Sequence, residues 1–361
     1  FLLVMVGVVF VYSPAIILGD IWANRILWIF VIFIYYIIAT LLPIDKIIGK
    51  IYPLFAFSLL FMAAALMIGL FIKHPQLPEL WDGLDNLGAE KFGMTNSIFP
   101  ALFITIACGA ISGFHATQSP LMSRCLKSEK MGRPVFYGAM ITEGVVALIW
   151  ATVSSYFFFY DGWKEVAPAD LLIQYEQSGK TLVQFFDAPT VVKLVCNSWL
   201  GALGGVLALL GVVAAPITSG DTAFRSARLI IAEFLHIKQR SMIKRLVVAI
   251  PIFAASIAFL FWQIENPDGF NTIWQYFGWS NQTLSVFTLW AITIYLVHEK
   301  KPYIVTLIPA VFMTVVCITF ILVSKNGFGI PMEIGYGIAG AIMVLSFVWF
   351  FIWKTKNKGV R

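Results

Sequence analysis

The sequence predicts an all-α, polytopic transmembrane helical bundle, and three observations predict it. Hydrophobic residues fill 60% of the 361 positions and charged residues only 12%, against roughly 45–50% and about 25% in soluble domains. Apolar runs such as Ile26 to Leu42, Tyr52 to Ile72 and Pro302 to Val323 match the roughly 20 residues that cross about 30 Å of hydrocarbon. The basic residues that remain concentrate on one side of these runs. A mean hydropathy of +0.85 agrees with all three and excludes a soluble fold.

About ten spans follow in order, within one transmembrane domain covering 1–361. The first, 1–17, opens at Phe1 inside an apolar run without initiator Met, basic leader or cleavage site. That pattern is not a signal peptide and predicts a chain truncated at its N-terminus. The second and third, 26–42 and 50–72, are the uninterrupted runs named above. The fourth, 98–123, is interrupted: Cys108-Gly109-Ala110-Ile111-Ser112-Gly113-Phe114-His115-Ala116-Thr117-Gln118-Ser119-Pro120 carries two glycines, a proline and a histidine. Helix-released backbone inside a bilayer must line a cavity or bond to neighbouring protein, so the segment is a candidate substrate or ion site. The same residues admit a packing reading, because Gly109 and Gly113 form a GxxxG pair and Pro120 a kink.

The fifth span, 134–159, places Glu143 two to three turns from its basic end, too deep for easy snorkelling. Glu143 is a candidate proton carrier; a structural bond to an adjacent helix is the alternative. The sixth, 193–223, closes on Thr218, Ser219, Gly220, Asp221 and Thr222. The three hydroxyls are hard oxygen ligands suited to Na⁺, and Asp221 is a protonatable carboxylate or the partner of Arg225 one turn later. The seventh is 245–263. The eighth, 275–297, begins with Asn281 and Gln282, which read as helix caps or bridges. The ninth and tenth are 303–323 and 333–353. Two longer loops, 73–97 and 160–192, mix charge with scattered Gly and Pro and suit short surface helices.

Of 25 Lys and Arg, 18 fall on one side of this alternation, the side of Arg124, Arg225, Arg245 and Lys354. Basic loops are retained in the cytoplasm, so both termini of the chain are predicted cytoplasmic and the two long loops outside. Orientation therefore accounts for the net charge of +6 without a nucleic-acid partner. Cys108, Cys125, Cys196 and Cys317 lack CxxC or Cys/His ligand spacing and read as structural thiols, and no metal or organic cofactor is expected. Ser178-Gly179-Lys180-Thr181 lacks the earlier glycine of a phosphate-binding loop, since Gln174 stands there. His298-Glu299 does not continue into a zincin motif, and no GxSxG occurs.

The segment Leu102 to Ala110 followed by Ser112-Gly113-Phe114-His115-Ala116, with Glu143, Asp221, Arg225, Ala227-Arg228, Phe277-Gly278 and Asn281-Gln282, resembles the carbon starvation protein A (CstA) transporters along essentially the whole chain. The resemblance implies a relative of the amino acid, polyamine and organocation superfamily, with a LeuT-like core of two inverted five-helix repeats. The fourth span is then the broken first helix of the second repeat, and its inverted partner precedes Phe1. It implies a secondary active transporter of a prokaryotic inner membrane, importing a small carboxylate such as pyruvate, or short peptides, during carbon starvation. Substrate binding is expected at Gly109, Ser112, Gly113, Phe114, His115 and Thr117. Coupling to H⁺ or Na⁺ is expected at Glu143, Thr218, Ser219, Asp221 and Thr222. The half-helix start near Phe114 and His115 would attract a substrate carboxylate. Membrane lipid is the expected surrounding partner, and the sequence leaves the oligomeric state open. Two other classes are weighed beside it: a nutrient-binding membrane sensor, and an intramembrane enzyme using His115, Glu143 and Asp221, which lacks any metal-ligand spacing.

Overall fold

Backbone amides and carbonyls in hydrocarbon have no water to bond, so a chain this apolar satisfies them within helices. A computed structural model describes residues 1–22, 24–41, 45–75, 77, 88, 98–266 and 269–356. Among them every regular element is helical and no strand occurs. The helices are α1 (Leu2–Ile21), α2 (Arg25–Leu41), α3 (Asp45–Lys73), α4 (Ile98–Ile106), α5 (Gly113–Ser123), α6 (Ala139–Phe159), the short α7 (Gly162–Val166), α8 (Ala169–Ser178) and α9 (Leu182–Phe185), then α10 (Ala188–Phe234), α11 (Met242–Glu265), α12 (Gly269–His298), α13 (Ile304–Val323) and α14 (Met332–Lys356).

Among the described residues, seven helical stretches are long and apolar enough to cross a membrane: Leu2–Gly19, Tyr52–Lys73, Ile98–Ser123, Glu129–Phe159, Met242–Glu265, Ile304–Val323 and Met332–Lys356. The other three predicted spans are also helices. The 17-residue α2 is short and apolar, while α10 and α12 carry polar stretches in mid-course. The predicted loop 160–192 forms the short helices α7 to α9. Loop 73–97 lies almost wholly outside the described residues.

Two predicted boundaries are corrected. The sixth span does not close at 223: α10 runs on to Phe234, because Arg225, Arg228 and their neighbours include no helix breaker before the turn at His236, whose φ is 56°. The same helix is interrupted at Gly201, with φ 66° and ψ −173°, a backbone state open to glycine and costly for other residues. The eighth span does not begin at Asn281. Helix α12 starts at Gly269, so Asn281 and Gln282 sit in its middle, where both are fully buried.

The described residues form two compact units. The first holds α1 to α3, α6 from Val145 onward, and α7 to α11. In it α10 packs along α3, and α10 and α11 both pack on α2. A Cβ at Gly211 would stand 2.8 Å from the Leu59 backbone nitrogen, so glycine is what lets α10 approach α3 so closely. Its apolar core joins Met62 and Leu66 of α3, Val153 and Phe157 of α6, Phe186, and Val195 of α10. The second unit holds α4, α5, α6 up to Gly144, α12 from Asn271, α13 and α14. Its core joins Ile104 and Ala107 to Met313, Val316 and Cys317 of α13.

Candidate functional site

The fourth predicted span is broken where the glycines and hydroxyls stand. Helix α4 ends at Ile106, Ala107–Gly109 make one 3₁₀ turn, and Ala110 to Ser112 leave the helix before α5 begins at Gly113. Ser112 is extended, with φ −89° and ψ 125°, the backbone state of a helix N-cap, yet its own side chain caps nothing. The cap comes from α12. Asn281 Oδ1 accepts the Phe114 N–H at 2.7 Å, and Asn281 Nδ2 donates to Ser112 Oγ at 3.2 Å and to Cys108 Sγ at 3.4 Å. The adjacent Gln282 amide can bridge the gap itself: turned so that both its ends are satisfied, its carbonyl accepts from Cys108 N–H and its NH₂ donates to the Ile111 carbonyl, each across 2.9 Å. A Cβ at Gly113 would fall 2.0 Å from the Asn281 carbonyl oxygen and 2.8 Å from Leu284 Cβ, so α5 and α12 touch backbone to backbone there. The segment is thus both broken and, at Gly113, closely packed.

His115 and Glu143, assigned from sequence to two different tasks, are brought together. His115 Nε2 lies 2.9 Å from Glu143 Oε2, with side chains 36% and 39% exposed. His115 stands in the first turn of α5. Glu143 comes from α6, which reaches the break through Gly144, where a Cβ would stand 3.5 Å from the Gly109 carbonyl oxygen. His115 Nδ1 is buried with no hydrogen-bond partner in the described structure. Thr117 is engaged within its own helix, Oγ1 donating to the Phe114 carbonyl at 2.7 Å. An imidazole and a carboxyl in hydrogen-bond contact can share one proton, and passing it from one to the other converts an ion pair into a neutral pair without changing the net charge of the site.

The other candidates, Thr218, Ser219, Asp221 and Thr222, belong to the first unit. Asp221 is 1% exposed and is held by Arg225 Nη2 at 3.3 Å and by the Tyr52 hydroxyl, which donates to Oδ2 at 3.3 Å. Arg225 Nη2 also donates to the Ala39 carbonyl at 3.3 Å, tying α10 to the end of α2. Thr218 Oγ1 donates to the Ala215 carbonyl at 2.9 Å and Thr222 Oγ1 to the Thr218 carbonyl at 2.8 Å. Both hydroxyl protons are spent on the helix. Ser219 is half-buried and stands about 100° around the helix from Thr218. Among the described residues no group of three or more His, Cys, Asp or Glu is placed to hold a metal ion.

Sequence reasoning placed Asn281 and Gln282 as caps or bridges without naming what they cap, read Cys108 only as a structural thiol, and missed Tyr52. The signal for the first pair was in the text: two adjacent amides inside an apolar run must find bonding partners, and the broken fourth span offered freed ones.

A protein-family model described as carbon starvation protein CstA matches residues 1–198 and 173–320. The chain is 41% identical over 206 residues to an uncharacterized membrane protein of Haemophilus influenzae, covering 44% of this chain and 56% of that one. It is 26% identical over 337 residues to the peptide transporter CstA of Escherichia coli, covering 79% of this chain and 48% of the transporter. It is 25% identical over 363 residues to the pyruvate/proton symporter BtsT of the same bacterium, covering 81% and 49%. The chain thus spans about half the length of these curated relatives. No solved structure matches it.

Proposed function

The chain belongs to the carbon starvation protein CstA family, and we propose from that premise that it is a secondary transporter importing a small carboxylate such as pyruvate, or a short peptide, with a coupled proton. The observation that carries this reading is the 2.9 Å contact of His115 with Glu143 beside the break between α4 and α5. When a substrate carboxylate pairs with the imidazolium of His115, Glu143 loses its counter-charge. Glu143 then takes up a proton, so the loaded site returns towards neutrality and can cross hydrocarbon-lined states at lower cost. Release of the substrate on the other side re-forms the His115–Glu143 pair and expels that proton there, and the empty carrier then returns without it.

Phe114 N–H is already bonded to Asn281, so in this scheme the substrate meets the His115 ring rather than that amide. Gly109, Ser112, Gly113 and Thr117 shape the break around it. Names of the relatives support both substrate classes, a peptide in one case and pyruvate with a proton in another. Asp221, with Thr218, Ser219 and Thr222, is kept as a second coupling element, its carboxylate neutralised by Arg225. The proposal includes ten spans in a LeuT-like arrangement, with α4 and α5 as the broken first helix of the second repeat. It also puts the side carrying 18 of the 25 basic residues in the cytoplasm.

The test is accumulation of radiolabelled pyruvate and dipeptides by proteoliposomes under an imposed pH or Na⁺ gradient. The expected result is uptake above equilibrium driven by the pH gradient, reduced to background by His115→Ala and by Glu143→Gln. Uptake unchanged in both variants would overturn the assignment.

A further inference from the structure

On the basic side of the first unit, three guanidinium groups converge on the turn after α10 and on the end of α2. Arg245 Nη1 donates to the Leu41 carbonyl at 3.0 Å and Arg245 Nε to the Gln239 carbonyl at 2.9 Å. Arg228 Nη1 donates to Gln239 Oε1 at 2.6 Å, so Arg228 and Arg245 share one residue as partner. Arg225 reaches the same end of α2 through the Ala39 carbonyl. The Asp221 carboxylate lies on Arg225.

Arg228 is 6% exposed, and two of the donors around it have no acceptor among the described residues: its own Nε and the Nε2 of Gln239. A buried guanidinium matched only by a neutral amide carries an uncompensated charge, and each buried donor left without an acceptor destabilises the fold. Both deficits call for the same thing, an anion with several acceptor oxygens.

We propose that Arg228, Arg245 and Gln239 form a binding site for a phosphate group, either the headgroup of an anionic phospholipid or a free phosphate ion. A tetrahedral oxyanion offers separate oxygens to Arg228 Nε, to Gln239 Nε2 and to the neighbouring guanidinium, which one carboxylate cannot do at once. The surroundings favour the lipid as source. Phe234, Leu235 and Ile243 are 82%, 55% and 72% exposed at this end of α10 and α11, and Lys238, Arg240 and Lys244 alternate with them. Apolar side chains interleaved with lysine and arginine at the end of a span fit acyl chains and anionic headgroups together.

The test is native mass spectrometry of the purified full chain with phosphatidylglycerol or phosphatidylcholine, beside thermal unfolding in phosphate or chloride at matched ionic strength. The expected result is selective retention of phosphatidylglycerol, weakened about ten-fold or more by Arg228→Gln and kept when Lys238 and Arg240 are both changed to Gln. A phosphate-dependent rise in melting temperature that Arg228→Gln abolishes, without lipid selectivity, supports the site and assigns it to the free ion. Should Arg228→Gln fail to fold, Arg245→Lys is read in the same way, since it keeps the charge and loses the two-pronged geometry. Equal loss of lipid in the Lys238/Arg240 double variant, or no response to either ligand, overturns the proposal. Solute uptake plays no part in these readouts, so the site stands or falls apart from the transport reading.

Discussion

Asn281, in the middle of α12, caps the start of α5 by accepting the Phe114 N–H at 2.7 Å, a task that Ser112 at the N-cap position leaves undone. The break in the fourth span is therefore held open by another helix. That bond makes the break a fixed feature on which His115 is mounted.

Asn281→Ala removes the cap and leaves the Phe114 amide and the Ser112 hydroxyl without their partner. The expected loss is about 1–3 kcal/mol of stability, since both groups are part-buried. Thermal unfolding in detergent checks it. Asn281→Asp should recover part of the loss, because a carboxylate still accepts from Phe114 N–H but cannot donate to Ser112.

Gly113→Ala puts a methyl group 2.0 Å from the Asn281 carbonyl oxygen, where the obstacle is backbone and cannot swing aside. Overpacking of this kind costs about 1–3 kcal/mol and more where nothing yields. The variant is expected to lose most of its monodisperse protein on size exclusion. Gly337→Ala in α14 is the control: its Cβ meets nothing within 4 Å, and the change should be neutral or stabilising.

Glu143→Gln keeps a hydrogen-bonding group beside His115 but removes the carboxyl that takes and gives the proton. Gradient-driven accumulation should fall on the order of a hundred-fold, the usual weight of a positioned proton-transfer group. Solute exchange at equal concentrations, which needs no net proton movement, should survive better than net uptake. Equal loss of both would assign Glu143 to substrate binding instead.

Asp221→Asn leaves Arg225 bonded to a neutral amide and to the Ala39 carbonyl. Because Asp221 is fully buried, breaking the pair from this side should cost up to about 3–5 kcal/mol. The Asp221→Asn/Arg225→Gln double variant should lose less than the sum of the two single changes, a coupling that a thermal double-mutant cycle measures. Apparent substrate affinity should stay near the parent value.

Much of this architecture is legible in the chain itself. Apolar runs of span length mark α1, α3, α11, α13 and α14 because the bilayer imposes a length that no tertiary contact needs to supply. The cluster of Gly109, Ser112 and Gly113 marks the break for the same local reason. What was not legible depends on residues far apart in sequence. The pairing of Asn281 with Phe114 joins α12 to α5, and no local pattern says which freed amide a mid-helix Asn will reach. Helix α10 was read too short because Arg225 and Arg228 look like the loop residues that usually follow a span, whereas burial beside α2 keeps them helical. Its interruption at Gly201 had a signal in Gly201-Ala202-Leu203-Gly204-Gly205, a glycine density that ordinary span interiors do not need.

The account stands on a proton that Glu143 takes up when substrate pairs with His115, and the most direct measurement is lumenal pH in proteoliposomes loaded with a pH-sensitive dye. Adding pyruvate or a dipeptide outside should acidify the lumen with the parent protein and leave it unchanged with Glu143→Gln. Solute entry without acidification, or equal acidification in the variant, would contradict it.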